Sequence, residues 1–278
     1  MQDFLDKKRV IIKVGSSTLV HKKTGRLDYI KLERLVREIC DIKNRGMDVC
    51  LVSSGAIAVG RQTLGIEKPR SIAKKQALAS VGQARLMAAY QQYFSEYGQA
   101  AGQVLMTKYT MLDNVARKNA ENTFEALFKF DVIPVVNAND TVTTFEIRFG
   151  DNDTLSALVT SLIHGDLLIL LSDIDGLYTG DPKKSSRTKL IKEVDEIDDR
   201  IIQMAEGTPG SDIGTGGMST KITAAQMATA SGADMVIANG EDISIIHRII
   251  EGNYTGTLFR ARYDEDFYIP DVLKAIDR

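Results

Sequence analysis

The sequence is short of the residues on which metal centres and disulfide frameworks depend. Its two cysteines, Cys40 and Cys50, are too few to cross-link a chain of 278 residues and lack metal-ligand spacing, so we predict two buried thiols. The three histidines, His21, His164 and His247, are scattered and argue against a histidine-rich zinc or iron site. A metal, if one is used, should be Mg²⁺ on oxygen ligands.

The sequence also lacks an excess of either charge and any long apolar run. Lysine and arginine total 35 against 37 aspartates and glutamates, so there is no strong positive field to hold nucleic acid. The first apolar run, residues 10–14, is interrupted by Lys13 and follows a polar, charged start, so we expect no signal peptide and no membrane span. These absences predict a cytoplasmic protein whose phosphate binding is local.

What the sequence does contain is an alternation of short β-branched runs with longer amphipathic stretches. Apolar residues recur at helical spacing in residues 32–39, between the runs 10–14 and 49–52, which indicates a βαβ unit. Such alternation predicts an α/β fold, with a mostly parallel sheet covered by helices on both faces. The other predicted strands are 102–106, 132–136, 167–171 and 235–238, and the other predicted helices are 114–129, one from 154 and one from 219.

The ends of the predicted strands are unusually polar. Residues 15–17, 53–55, 137–140 and 172–176 each follow a strand and are rich in glycine, serine, asparagine or aspartate. Any one of them is typical of an ordinary turn or helix cap. Ligands of open parallel sheets collect at the carboxyl ends of the strands, so four such ends together favour a binding crevice.

A glycine-rich segment, residues 214–221, precedes the predicted helix from 219. Backbone N–H groups at a helix N-terminus bind phosphate, and Lys221 in the first turn opposes the helix dipole unless an anion is close. The alternative for this segment alone is a flexible loop with a solvated lysine. It matches neither the P-loop string nor the dinucleotide-binding string, which weakens both of those interpretations.

Lys13 lies in a strand that should be buried on both faces. Its ammonium must therefore leave the strand end, reach the solvent at an edge, or meet an anion. Asp151, Asn152 and Asp153 precede the helix predicted from 154, and a helix cap needs only one of them. The surplus carboxylate could orient the lysines, bind an amino group, or hold Mg²⁺ through phosphate oxygens together with Asp173 or Asp175.

Taken together, these segments resemble the glutamate 5-kinases of the amino acid kinase superfamily over residues 9–260. The resemblance is specific, because it rests on several separate strings. They are IKVGSS at 12–17, VSSGAIA at 52–58, VGQ at 81–83, PVVN at 134–137, GDND at 150–153, LSDIDGLY at 171–178, GTGGMSTK at 214–221 and GTLF at 256–259.

The resemblance implies a three-layer αβα sandwich and transfer of a phosphoryl group from ATP, with Mg²⁺, to the side chain of glutamate. It implies Lys13, Asp153 and Lys221 for phosphoryl transfer, and Ser54, Asn137, Asp140 and Asn152 for glutamate. For ATP it implies Lys13, Gly15, Ser172, Asp173, Thr215, Gly216, Gly217, Met218, Ser219, Thr220 and Lys221.

It further implies one domain, 1–278, with a glutamate-binding lobe to about 155 and a nucleotide-binding lobe beyond, a homo-oligomer, and feedback inhibition by proline. The sequence departs from the family pattern at Ala138, where glutamate is usual. Many members also carry a C-terminal PUA domain, and the residues beyond Phe259 are too few for one. We therefore expect the form without that domain.

Other functions have to be weighed against this one. Another member of the superfamily would share the fold and phosphorylate a different carboxylate or phosphate acceptor. A serine hydrolase of the penicillin-recognising type is suggested by Ser71-x-x-Lys74 and by the Lys-Thr-Gly at 23–25, but these occur in the wrong order and no Ser-Asp-Asn is present. An amino-acid sensor that has lost its chemistry is opposed by the presence of Lys13, Asp153 and Lys221.

Overall fold

The computed structural model describes residues 2–67, 69–143, 152–181, 187–206 and 217–276. Within them lie eight strands and eleven helices. The strands are β1 (Arg9–Val14), β2 (Asp48–Ser53), β3 (Ala100–Met106), β4 (Val132–Ala138), β5 (Leu167–Ser172), β6 (Glu193–Val194), β7 (Asp234–Asn239) and β8 (Gly256–Phe259). The helices are α1 (Ser16–Leu19), α2 (Tyr29–Asn44), α3 (Ala56–Leu64), α4 (Ile72–Glu96), α5 (Lys108–Leu112), α6 (Asn114–Lys129), α7 (Asn152–Leu162), α8 (Asp199–Glu206), α9 (Met218–Ala230), α10 (Ile245–Ile250) and α11 (Ile269–Ile276).

The strands form one sheet in the order β3-β4-β2-β1-β5-β7-β8-β6. Every neighbouring pair is parallel except β7 and β8, so the prediction of a mostly parallel sheet is confirmed. The antiparallel β8 and the two-residue β6 were not predicted, because strands this short carry too little of the alternating pattern to be recognised. Strand β1 lies in the middle of the sheet, with β2 on one side and β5 on the other.

Alternate residues of the central strands enter two separate hydrophobic cores. Val10 and Ile12 pack with α2, α4 and α10 on one face, whereas Ile11 packs with α6, α7 and α9 on the other. Parallel strands covered on both faces are expected to be apolar throughout, as β5 is. The predicted three-layer αβα sandwich is confirmed.

The region between β2 and β3, which the sequence left unassigned, forms the helical pair α3 and α4. These helices touch backbone to backbone: a Cβ atom on Gly60 would lie 1.9 Å from the carbonyl oxygen of Leu78, and one on Gly82 would lie 1.8 Å from that of Ala56. The pair therefore depends on two glycines. Its position matters because α3 begins directly after the polar end of β2.

Local hydrogen bonds explain where several helices begin. Asp28 accepts from the N–H of Lys31 at the start of α2, and Ser71 Oγ accepts from the N–H of Lys74 at the start of α4. Ser71 and Lys74 thus have a capping role, which accounts for the pattern that suggested a serine hydrolase.

The structure also bears on the predicted thiols. Cys40 and Cys50 are both free and buried, as predicted, and burial raises the pKa of both thiols. No helix in the described residues has the length and apolar character needed to cross a membrane.

Candidate active site

The polar strand ends lie side by side at one edge of the sheet. In the register, Val14 of β1 is paired with Ser53 of β2 and with Leu171 of β5. The residues that follow these strands therefore lie together at one edge of the sheet, as predicted from the sequence. Two clusters of side chains stand at this edge, one charged and one made of amides.

The charged cluster joins three elements that are far apart in sequence. Asp153, in the first turn of α7, forms ion pairs with Lys13 of β1 and with Lys221 of α9; its Oδ2 lies 3.0 Å from Lys221 Nζ. All three side chains are buried, with only 1%, 8% and 6% of Asp153, Lys13 and Lys221 exposed. Of the roles left open by the sequence, the structure gives Asp153 the orientation of the two lysines.

The electrostatics of this cluster are governed by the two lysines that pair with Asp153. Burial alone would raise the pKa of the Asp153 carboxyl, but the ammonium groups of Lys13 and Lys221 outweigh it and hold that pKa below its usual range. Asp153 is therefore ionised at neutral pH, and one carboxylate faces two ammonium groups. Two buried ammonium groups held close together make this edge a favourable place for an incoming anion such as phosphate.

The N-terminus of α9 lies next to these charges. Gly217 occupies the cap position without a side-chain cap bond, and Thr220 Oγ1 lies 2.9 Å from the Gly217 carbonyl oxygen and 3.4 Å from Asp153 Oδ2. Met218 is buried and Ser219 is exposed. Residues 214–216 of the predicted ATP loop, with Thr215 and Gly216, and Asp151 of the GDND string lie outside the described residues.

Gly15 faces the charged cluster from the end of β1. A Cβ atom on Gly15 would lie 3.7 Å from Lys13 Nζ, so the backbone at this turn is close to the ammonium group. Ser172 ends β5 and is buried, and its Oγ donates to Asp173 Oδ1 at 3.2 Å, whereas Asp173 is exposed. These predicted ATP positions thus share the edge of the sheet with Lys13.

The amide cluster is built around Asn152, the residue before Asp153. Asn152 Nδ2 lies 2.8 Å from the Ser53 carbonyl oxygen, 2.8 Å from Ser54 Oγ and 3.0 Å from Asn137 Oδ1. Asn137, at the end of β4, is buried and donates from Nδ2 to Gln83 Oε1 of α4 at 2.7 Å. Three residues predicted for glutamate binding, namely Ser54, Asn137 and Asn152, are thereby brought together.

The fourth predicted residue, Asp140, lies in the turn after β4 and is half-buried. Between it and Asn137 stands Ala138, whose N–H donates to Asn137 Oδ1 at 2.9 Å and whose side chain is buried. The departure at Ala138 therefore leaves the backbone support of Asn137 in place. Only the interactions of a longer, charged side chain are lost at this position.

Two contacts of the amide cluster were not predicted. Gln83 belongs to the VGQ string, which carries no role of its own in the sequence because the weak apolar pattern of α4 does not reveal the helix. The Ser53 hydroxyl is 2.9 Å from the buried Tyr90 hydroxyl, also of α4. The VGQ string is the sequence feature that could have indicated a role for Gln83. No feature of the sequence singles out Tyr90.

The carboxylates near the edge determine what could hold a metal. Asp153 is committed to two lysines, and Asp175 accepts from Tyr178 and Asn239, each at 2.9 Å. In the part of the chain that the structure describes, no group of three His, Cys, Asp or Glu side chains is placed to bind a metal alone. Exposed Asp173 fits Mg²⁺, which commonly uses one or two carboxylates together with phosphate oxygens.

The sequence is similar to those of known kinases. The sequence model of the amino acid kinase family matches residues 8–239. The glutamate 5-kinase of Clostridium tetani is 50% identical over 257 residues, which cover 92% of this chain and 96% of that protein. The glutamate 5-kinase of Carboxydothermus hydrogenoformans is 51% identical over 253 residues, which cover 91% of this chain and 68% of that longer protein.

Solved structures share the fold at low sequence identity. Carbamate kinase from Giardia lamblia bound to AMP-PNP superimposes with a TM-score of 0.64 at 17% identity, covering 93% of this chain and all of that one. UMP kinase from Ureaplasma parvum gives a TM-score of 0.61 at 13% identity, covering 91% and 99%. With half of its residues shared with curated relatives over most of its length, the chain belongs to the amino acid kinase family and, within it, to the glutamate 5-kinases.

Proposed function

We propose that this enzyme transfers the γ-phosphoryl group of ATP to the side-chain carboxylate of L-glutamate, giving γ-glutamyl phosphate and ADP, the first step of proline biosynthesis. The observation that carries the proposal is the adjacency of Asn152 and Asp153 at the start of α7. Asn152 is bonded into the amide cluster and Asp153 into the charged cluster. An acceptor held by the first would lie next to a phosphoryl group held by the second.

The nucleophile needs no general base in this reaction. A side-chain carboxylate has a pKa near 4, so it is already an anion at neutral pH. The obstacle is repulsion between that carboxylate and the γ-phosphate, together with charge that develops on the transferring group and on the leaving diphosphate. The enzyme must supply positive charge at fixed positions.

Lys13 and Lys221 supply that charge. Both are buried, and both are held by the single carboxylate of Asp153. Because the pKa of Asp153 is held low, it keeps the two ammonium groups in place without exchanging a proton. Backbone N–H groups at Gly15 and at the Gly217 end of α9 would bind phosphate oxygens, as would Ser219 and Thr220.

Asp173 is the residue we assign to Mg²⁺, through oxygens of the bound nucleotide. When bound, Mg²⁺ would neutralise charge on the β and γ phosphate oxygens. Ser172 would position Asp173 through the hydrogen bond between their side chains.

The remaining parts of the proposal concern the whole chain. Residues to about 155 would bind glutamate through Ser54, Asn137, Asp140 and Asn152, and the residues beyond would bind ATP. We place the enzyme in the cytoplasm, where two free buried thiols are compatible with a reducing environment. We further propose a homo-oligomer inhibited by proline.

The reaction is tested by trapping the acyl phosphate as a hydroxamate in the presence of Mg-ATP and each candidate acceptor. Glutamate should give far more product than acetylglutamate, whose amino group is blocked, than aspartate, whose side chain is one methylene shorter, or than carbamate, which has no amino-acid head group. Equal or smaller yields with glutamate would refute the substrate while leaving the fold untouched. The variant Lys221→Ala is the matched negative control for enzymatic transfer.

A further inference from the structure

Among the hydrogen bonds of the described residues, one joins α4 directly to a residue predicted for glutamate binding, and it is made by Gln83. Its Oε1 accepts from Asn137 Nδ2 at 2.7 Å. Asn137 is 3% exposed, so its Nδ2 has no ready access to water if that bond is lost. An unpaired buried donor is costly, and Asn137 would have to move or turn to find another acceptor.

Two backbone groups fix which way the amides of this cluster point. The N–H of Ala138 can only donate, and it lies 2.9 Å from Asn137 Oδ1, so the Nδ2 of Asn137 must face Gln83. The carbonyl of Ser53 can only accept, and it lies 2.8 Å from Asn152 Nδ2. Donor and acceptor therefore alternate in a defined direction from Ser53 through Asn152 and Asn137 to Gln83.

This direction leaves Asn152 with an acceptor to offer. Its Nδ2 shares two N–H groups among three acceptors within 3.0 Å, and in the described residues no donor reaches its Oδ1. A carbonyl oxygen accepts from an ammonium group. If Asn137 turned, the bond from Asn152 Nδ2 to Asn137 Oδ1 would become a clash of two donors, and Asn152 would lose its orientation.

We propose that Gln83 is a positioning residue that sets selectivity for the α-ammonium group of the acceptor, by holding Asn137 and, through it, the Oδ1 of Asn152. The proposal rests on the function proposed above. It adds that amino-acid recognition depends on a residue of α4, outside the strand ends that line the crevice. The backbone contact between α3 and α4 at Gly60 and Gly82 places Gln83 at a fixed distance from the Ser54 turn.

The test compares Gln83→Met, which keeps the length and removes the acceptor, with Gln83→Glu, which keeps an oxygen for Asn137. In Gln83→Met we expect the KM for glutamate to rise about tenfold, with kcat and the KM for ATP changing less than about twofold. Glutarate, which lacks the amino group, should lose much less affinity as an alternative acceptor or competitor. Gln83→Glu should recover most of the preference for glutamate.

The matched control is Gln91→Met, the same substitution at an exposed position of the same helix, and it should change nothing. A second check is the double variant Gln83→Met with Asn137→Ala, in which Gln83→Met should add little because its partner is gone. An unchanged glutamate KM, an equal loss for glutamate and glutarate, or a Gln83→Glu enzyme as impaired as Gln83→Met would each overturn the proposal.

Glutamate affinity should also be measured by calorimetry without turnover, which separates this inference from the proposed reaction. Wild-type protein that binds glutamate but does not phosphorylate it would refute the reaction alone, and a tenfold weaker affinity in Gln83→Met would still support the positioning role. Wild-type protein that does not bind glutamate would refute both. Melting temperatures within a few degrees of wild type would confirm that the variants are folded.

Discussion

Asp153 is a residue whose removal should damage both stability and turnover. Asp153→Asn keeps the shape of the side chain but removes the carboxylate that pairs with the buried Lys13 and Lys221. Breaking a buried ion pair in this way costs about 3–5 kcal/mol of unfolding free energy, and kcat should fall on the order of a hundredfold because the lysines lose their fixed positions. Chemical denaturation and steady-state kinetics at pH 7 measure the two losses.

The pH dependence of that stability difference follows from the pKa of Asp153. Its pKa is lowered in the folded state, so the ion pairs stabilise the protein above the usual aspartate pKa, about 3.9, and their contribution is lost as the pH falls below it. The contribution of Asp153 to the unfolding free energy of the wild type should be constant from about pH 6 to 8 and shrink only under acid conditions. An Asp153 carboxyl that took up a proton near neutrality, as followed by NMR of the wild type, would contradict an ionised Asp153.

Replacing Asp140 and replacing Lys221 should change different kinetic constants, because Asp140 is assigned to the bound glutamate and Lys221 to the transferring phosphoryl group. An ammonium held by Asp140 is bound alike in the ground and transition states, so Asp140→Ala should mainly raise the KM for glutamate. The rise should correspond to a loss of about 2–4 kcal/mol of binding free energy. Lys221→Ala should lower kcat on the order of a hundredfold with little change in that KM. The roles are wrong if Lys221→Ala keeps wild-type kcat.

The two lysines could be singled out from the sequence because each breaks a local rule. Lys13 interrupts a strand buried on both faces, and Lys221 opposes the dipole of its own helix. Their shared partner could not be derived, since Asp153 is separated from both by long stretches of chain and was one of several candidate acids. A residue that breaks the local sequence pattern can be recognised as functional from the sequence alone. Which residues it contacts cannot be recognised in that way.

At the scale of elements, the contact between α3 and α4 should link stability to substrate binding. In Gly82→Ala the added methyl group would meet the carbonyl oxygen of Ala56 at 1.8 Å, so the helices must separate. Overpacking of this kind costs about 1–3 kcal/mol of unfolding free energy, and it should also raise the KM for glutamate because α3 follows the Ser54 turn. Ser80→Ala, at an exposed position of α4, is the control, and denaturation with kinetics gives both quantities.

The same helices show what the sequence could not predict. The predicted helix 114–129 agrees with α6, and the predicted strands and the helices from 154 and 219 begin within two residues of those observed, whereas α2 extends beyond the helical pattern at 32–39 at both ends. In contrast, α4 contains Leu78, Gly82, Leu86 and Tyr90 on its buried side together with many small residues, so its apolar stripe is weak. Close packing through glycines replaces large side chains there, and a pattern search has little to detect.

For the whole molecule, the central position of β1 explains how distant segments reach one site. Lys13 leaves the sheet between the strands that end in Ser53 and Ser172, so it is flanked by residues assigned to glutamate and by residues assigned to ATP. Helix α7 returns across this edge and delivers Asn152 and Asp153 as neighbours. The fold thereby brings Lys13 and Lys221, which lie far apart in the sequence, to the same carboxylate.

Inhibition by proline tests whether the amino-acid head group is recognised as proposed. Proline carries the α-carboxylate and a charged nitrogen of glutamate but no side-chain carboxylate, so it should bind the amide cluster and accept no phosphoryl group. It should raise the apparent KM for glutamate more than it lowers kcat, as initial rates at several concentrations of both will measure. Because the nitrogen of proline would donate to the same Asn152 oxygen, Gln83→Met should lower the affinity for proline and the affinity for glutamate by similar factors. Inhibition that survived saturating glutamate would place the proline site elsewhere on the molecule.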